Sequence, residues 1–250
     1  AMRYALLSSP VVKGENLQFS DDNVSEIYKK CISRLENVVT LYEMNKEGVV
    51  IPSSSSDHAL DRWMISRIHE LVATSTKGYD AYILDEAVRG IADIIDDISV
   101  WYTRRSRDRL KGDTGAEDKV KAYQTFSYVL ITLSKVMAPV MPFISERVYK
   151  QIGGPMESVH LDAWPEGGAI DQDVLVTMKK VRDIVSSALM KRTEAKISVR
   201  QPLATLYTTT ELSDEYVEII KDEINVRQVL VGAEISLDTV LTDELVREGE

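Results

Sequence analysis

Tyr79-Asp-Ala-Tyr-Ile-Leu-Asp-Glu-Ala-Val-Arg-Gly-Ile-Ala-Asp-Ile-Ile-Asp-Asp-Ile-Ser-Val-Trp-Tyr-Thr-Arg-Arg-Ser-Arg-Asp-Arg-Leu-Lys111 is the stretch that decides the fold. Its apolar residues Tyr82, Ile83, Ala87, Ile91, Ile94, Ile95, Ile98, Trp101 and Tyr102 recur three and four positions apart, the period of one helix face. A helix from about Tyr79 to Leu110 is expected, spanning about 45 to 50 Å. Outward from it the same period returns. Val24, Ile27, Tyr28, Cys31, Ile32, Leu35, Val38, Val39 and Tyr42 form one stripe, opened by Asp21-Asp22. Leu60, Trp63, Met64, Ile68, Leu71 and Val72 form another, with Asp57 as the expected N-cap and Lys77-Gly78 as the stop. A fourth, Val120, Tyr123, Leu130, Leu133 and Met137, runs into Pro139 and Pro142, which must kink or interrupt it before Phe143, Ile144 and Val148 resume. Gly112 to Gly115 reads as a turn and Gly153-Gly154-Pro155 as a helix stop.

Four long helices with short loops predict a mainly α protein, an antiparallel helical bundle over residues 21–168. After Gly167-Gly168 the pattern changes to a helix from about Asp171 to Arg192, a β-prone run Leu203 to Thr208, a helix near Ser213 to Glu223 and a second β-prone run Val226 to Val231. Residues 169–250 are therefore expected to form a small α+β appendage. Residues 1–20 read as a junction, with Ala1-Met2 resembling a tag scar, and both ends suggest a piece of a longer protein.

The composition, 44% hydrophobic and 28% charged, is that of a globular chain, and no run is long and apolar enough to span a membrane. One cysteine, Cys31, makes no internal disulfide, and with three scattered histidines no Cys/His zinc cluster is expected; a reducing cytoplasm fits. His58, His69 and His160 read as surface or packing residues. No phosphate-cradling glycine loop is present, so this chain is not expected to catalyse alone.

The net charge of −10 hides a segregation. Between Ser99 and Lys111, Arg104, Arg105, Arg107, Arg109 and Lys111 face only Asp108. Between Thr177 and Arg200, Lys179, Lys180, Arg182, Lys191, Arg192, Lys196 and Arg200 face Asp183 and Glu194. Guanidinium groups spaced by a helical turn suit backbone phosphates, and Trp101 beside them suits a stacked base. The competing reading is that the arginines pair with Asp93, Asp96 and Asp97 while Trp101 and Tyr102 end a core stripe.

Several segments resemble, in order, the region after the catalytic core of isoleucyl-tRNA synthetases, class I subclass a enzymes with a helical-bundle anticodon-binding domain. They are Leu6-Leu-Ser-Ser-Pro-Val-Val-Lys-Gly-Glu-Asn-Leu17, Leu60-Asp-Arg-Trp63, Trp101-Tyr102 with the Arg-Arg-Ser-Arg run, Ala138-Pro-Val-Met-Pro-Phe143 with Glu146, Ser158-Val-His-Leu161 with Trp164-Pro165, Val199-Arg-Gln-Pro-Leu203 and Glu223-Ile-Asn-Val226. The third is the most specific to the isoleucine enzymes. Val100 stands where the family usually has Asn, and Leu110-Lys111 where it has Phe-Trp. The resemblance implies a tRNA-binding module with contacts from Trp101, Arg104, Arg105, Arg107, Arg109 and Lys111, and from Lys191, Arg192, Lys196 and Arg200 in the appendage. It makes Ser158 to Leu161 a strand after the bundle, with Trp164 a plug against it and Trp63 a helix-entry anchor. The longer ligase would use ATP and Mg, but the His-x-Gly-His and Lys-Met-Ser-Lys-Ser signatures and the editing domain are absent from this sequence, and no cofactor is expected here. The implied partners are isoleucine tRNA and the catalytic and editing domains of the same chain, with a monomer and no membrane. Two alternatives stay open: the equivalent domain of a valyl, leucyl or methionyl enzyme, and a helical protein-interaction module that binds no RNA.

Overall fold

Backbone hydrogen-bond caps decide where the helices begin in the computed structural model, which describes residues 1–249. These residues form two compact units, Ala1–Asp171 and a second beginning at Gln172. The first unit starts with α1 (Met2–Leu7) and a 3-10 turn at Pro10–Lys13, then α2 (Asp21–Ile27). The Ser20 hydroxyl accepts the Asn23 amide, so Asp21 and Asp22 occupy the first turn, where the helix dipole favours them. A π-helical stretch, Tyr28–Ser33, carries the chain into α3 (Arg34–Met44). Its extra residue per turn shifts the stripe: Cys31, Leu35, Val38, Val39 and Tyr42 are buried, whereas Tyr28 is exposed.

Helix α4 (Ala59–Asp80) is capped one residue later than expected, by the His58 ring, whose Nδ1 accepts the Leu60 amide at 3.2 Å. Gly78 does not stop it. A Cβ there would lie 2.6 Å from the Ala87 backbone nitrogen, so this glycine admits the next helix at close range. Ser75 Oγ donates to Ala87 O at 2.7 Å across the same contact. The chain reverses through Ala81 to Ile83, with Tyr82 at φ +58, and α5 (Leu84–Asp96) begins five residues after the expected start. A second π-helical stretch, Asp97–Tyr102, leads to α6 (Thr103–Arg105), a break at Ser106, and α7 (Arg107–Lys111). The expected single helix is thus shorter and twice modified. Gly112 at φ +94 closes it.

Helix α8 (Ala116–Met137) ends where Pro139 and Pro142 require, and Pro142 opens α9 (Pro142–Ile152) from its first position. The core lies where α3, the Asp97–Tyr102 stretch and α8 meet: Tyr42, Tyr123, Phe126 and Tyr102 pack edge to face with centroids 5.2 to 5.8 Å apart.

No strand follows the bundle at Ser158 to Leu161; Val159–Leu161 is a 3-10 turn. Side chains take the amides that a strand would have paired. Glu146 accepts from the Val159 amide and the Ser158 hydroxyl, each at 2.9 Å, and Ser158 Oγ accepts the His160 amide. Trp164 packs against the bundle as expected, though not from a strand: its Nε1 donates to Thr76 Oγ1 at 2.8 Å and its ring stands edge-on to Tyr79, both on α4. His69 is a packing residue, with Nδ1 2.7 Å from Ala169 O and Nε2 2.8 Å from the Tyr128 hydroxyl.

The second unit is α10 (Gln172–Glu194), β1 (Leu203–Thr208), α11 (Asp214–Ile224), β2 (Val226–Val231), β3 (Ser236–Leu237) and α12 (Asp243–Gly249). The sheet order is β2-β1-β3, parallel between β1 and β2 and antiparallel between β1 and β3. Both β-prone runs are strands, and α11 is the crossover that a parallel pair needs.

Gly78→Ala should lower the urea midpoint and cost about 1 to 3 kcal/mol, because displacing the Ala87 backbone outweighs the ~1 kcal/mol of helix propensity gained; an unchanged or raised midpoint would show that the two helices have room. The Lys150 ammonium, then the Val159 amide and the Ser158 hydroxyl, hold the Glu146 carboxyl down at about 2. That folded-state value lies below the ordinary one, so the stabilisation is complete above about pH 4.5 and disappears as pH falls through 2. Glu146→Gln should flatten the acid limb of the stability profile in that window and be least stable relative to the parent near neutrality. Superimposable profiles would refute the assignment.

Candidate nucleic-acid interface

Asp61, in the first turn of α4, has no solvent exposure, and a buried carboxylate must be compensated. Arg109 Nη1 donates to Asp61 Oδ1 at 2.8 Å and Nη2 to Oδ2 at 3.0 Å, the Tyr102 hydroxyl donates to Oδ1 at 2.7 Å, and Ser56 Oγ donates to Oδ2 at 2.8 Å. Arg109 continues outward: its Nε lies 2.9 Å from Asp118 on α8, which also accepts from Thr114 Oγ1 at 2.7 Å. Burial alone would lower the Arg109 pKa, but the bonds to Asp61 and Asp118 outweigh it and raise it. Burial pushes the Tyr102 phenol well above its usual range, with the Asp61 charge adding to the shift. For Asp118 burial works upward, and the hydrogen bonds from Arg109 and Thr114 win and lower its pKa. Removing one member of such a buried pair typically costs about 3 to 5 kcal/mol.

This network corrects the expectation for Arg109. It is 4% exposed, with its guanidinium taken up by Asp61 and Asp118, and so serves the fold where a surface cation was expected. The competing reading, internal pairing, holds for Arg109, whose partners are Asp61 and Asp118; of the acids it named, Asp96 also accepts from Arg34 and Asp97 from Arg67. Trp101 is also buried, at 7% exposure, and offers no ring face to a base. Arg104, Arg107 and Lys111 are exposed on the same helix end and Arg105 is half-buried. Lys111 lies 3.4 Å from Asp108 and 3.8 Å from Asp113, exposed pairs that water and salt weaken. The sequence thus brings three exposed cations and one half-buried cation to one short surface, carried on a buried ionic anchor.

In the second unit Arg192 is corrected likewise. It is 1% exposed, and its guanidinium donates to the carbonyls of Ser198 and Gln201 at 3.0 Å and of Asn225 at 2.9 Å. Burial lowers its pKa. Lys196 and Arg200 are exposed and Lys191 half-buried; Lys196, at φ +57, turns the chain out of α10. Sequence reasoning misses Asp61 and Asp118 as anchors. The available signal is position: Asp61 falls between Leu60 and Trp63-Met64 on the buried stripe, Arg109 lies seven residues beyond Tyr102, and Arg192 extends the run Val185, Ala188.

Among the described residues no group of His, Cys, Asp and Glu could hold a metal ion, and no helix is long and apolar enough to cross a membrane. Comparison with known proteins adds the family. Residues 61–208, which include Asp61, Tyr102, Arg109, Asp118 and both basic stretches, match the anticodon-binding domain of tRNA ligase. An isoleucine–tRNA ligase of Clostridium acetobutylicum is 38% identical over 232 residues, 88% of this chain and 22% of that protein. Its counterpart in Chlamydia trachomatis serovar D is 35% identical over 242 residues, 92% of this chain and 23% of that protein. The one from Thermoplasma volcanium is 32% identical over 213 residues, 83% and 21% respectively. The chain spans about a fifth of the length of these curated relatives. On the family match across most of the bundle and into β1, the chain belongs to the anticodon-binding domains of tRNA ligases.

Proposed function

We propose that this chain recognises the anticodon stem and loop of isoleucine tRNA for a longer isoleucine–tRNA ligase, and that Arg104, Arg105, Arg107 and Lys111 meet the RNA backbone. The observation that carries the site is the exposure of Arg104, Arg107 and Lys111 on one helix end within the family match. The names of the relatives support the isoleucine assignment. Lys191, Lys196 and Arg200 are second-line phosphate contacts from the other unit.

Function here is binding. Phosphate neutralisation supplies affinity and its salt dependence, while unpaired loop bases, whose edges are open, supply selectivity. The otherwise acidic chain repels polyanions away from the basic surfaces. Residues 1–20 join the bundle to a catalytic core, residues 21–168 and 169–250 act as the two binding bodies, and ATP and magnesium belong to the catalytic part, whose signature motifs this sequence does not contain. In this reading the ligase works in the cytoplasm as a monomer, and this part of it forms no aminoacyl bond.

Titration with isoleucine tRNA and with an anticodon-swapped version, at low and moderate salt, tests the proposal. Tighter, salt-dependent binding of the native anticodon is expected. Arg104→Ala with Arg107→Ala should weaken binding and make the dependence of log affinity on log salt shallower by about 0.7 to 0.9 for each phosphate no longer neutralised. Unchanged affinity in a folded variant would sink the site, preference for a valine, leucine or methionine tRNA would sink the isoleucine assignment, and no binding of any tRNA at low salt would sink the RNA reading.

A further inference from the structure

The arginine run is held at both ends by one carboxylate. Tyr102 precedes Arg104, Arg105 and Arg107, Arg109 follows them, and both donate to Asp61 Oδ1. Seven residues are nearly two helical turns, so both side chains leave on the same face about 10 Å apart and converge on a single acceptor. Between them the helix is distorted at buried Ser106, at φ −92 and ψ 6, although its N–H still donates to Tyr102 O and its carbonyl accepts from Leu110 N–H, each at 2.9 Å. The backbone alone therefore holds the next turn through few bonds, and side chains at both ends add to them. Asp61 fixes that turn from α4 and Asp118 from α8, where the Arg109 Nη2 lies 2.8 Å from Asp118 Oδ1. Arg109 is thereby held by two helices at once, through a bidentate fork that defines the orientation of the guanidinium plane as well as its distance.

We propose that Asp61, Tyr102, Arg109 and Asp118 form a positioning clamp: they set the presentation of Arg104 and Arg107 on either side of the Ser106 distortion, so that both cations meet RNA phosphates in the same bound geometry. The proposal rests on the RNA reading above and assigns these four residues a role in binding without contact. A backbone already fixed spares its share of the ordering cost and leaves only that of the side chains, whereas a loose one must lose its freedom as well on binding.

The test measures isoleucine tRNA binding by the 250-residue chain as a function of salt, with circular dichroism and thermal melts on every variant. Tyr102→Phe removes one hydroxyl and keeps the ring in the core; Asp118→Asn acts at a partly exposed position and keeps the shape, so at least one folded variant is available. Each should weaken binding roughly threefold to tenfold with a shallower salt slope, while the melting transition remains cooperative. Asp118→Glu, which keeps the charge, should recover part of the affinity. The decisive readout is coupling: adding Arg104→Ala and Arg107→Ala to Tyr102→Phe should weaken binding by less than the same changes do in the parent, since the clamp acts through those arginines. Additive effects, or full affinity in both clamp variants while the arginine variant is weakened, would overturn the clamp and leave the RNA reading standing. A parent chain that binds no tRNA at low salt would overturn both.

Discussion

A carboxylate sealed from water near the start of a helix has few tolerable environments, and Asp61 dictates much of what surrounds it. Its two oxygens demand donors from several directions, and the chain supplies them from the segment before α4 through Ser56, from the α5–α7 series through Tyr102 and Arg109, and indirectly from α8 through Asp118. Three helices are thereby fixed to one another at a point where apolar packing alone would permit sliding. Apolar contact is indifferent to small translations; a bidentate guanidinium–carboxylate pair is not. The long stripes hold the bundle together, and the buried pair decides its register.

Close approach does the same work elsewhere by different means. At Gly78 the missing side chain lets the Ala87 backbone press against α4, and Gly154 and Gly168 accept the rings of Tyr149 and His69 at distances that no Cβ would allow. The two π-helical stretches, Tyr28–Ser33 and Asp97–Tyr102, each redirect an apolar stripe by adding a residue to a turn. The bundle is built from ordinary periodic helices adjusted at a few positions where neighbours come unusually near.

Those adjustments mark the border of what the sequence discloses. The stripes, the proline break, the turn at Gly112 and both strand runs are legible because their causes are local: period, caps and backbone freedom. Gly78 reads as a stop for the same reason that Gly153 does, yet of the two only Gly153, at φ +91, ends a helix. The difference is Ala87, which is not encoded near residue 78. The His58 cap and the side-chain-stitched turn at Val159–Leu161 likewise depend on particular hydrogen bonds, with Leu60 and with Glu146. For the interface, the clustering of basic residues is legible and their sorting is not. Nothing within the run separates Arg107 from Arg109; partners 48 and nine residues away bury one and leave the other in water. The same holds for Lys191 and Arg192, adjacent cations with opposite surroundings.

Arg192 differs from the other buried arginine in what it grips. Arg109 holds carboxylates, which only aspartate or glutamate can provide, so each partner position is tied to its chemistry. Arg192 holds three backbone carbonyls, a group that every residue carries. Its grip on the segment after α10 and on the exit of α11 therefore asks nothing of the side chains at the gripped carbonyls. The anchor thus constrains the path of the backbone and not the identity of its side chains; the identity that this segment does demand comes from elsewhere, as at Asn225, whose Nδ2 donates to the Val199 and Arg200 carbonyls from a φ of +56.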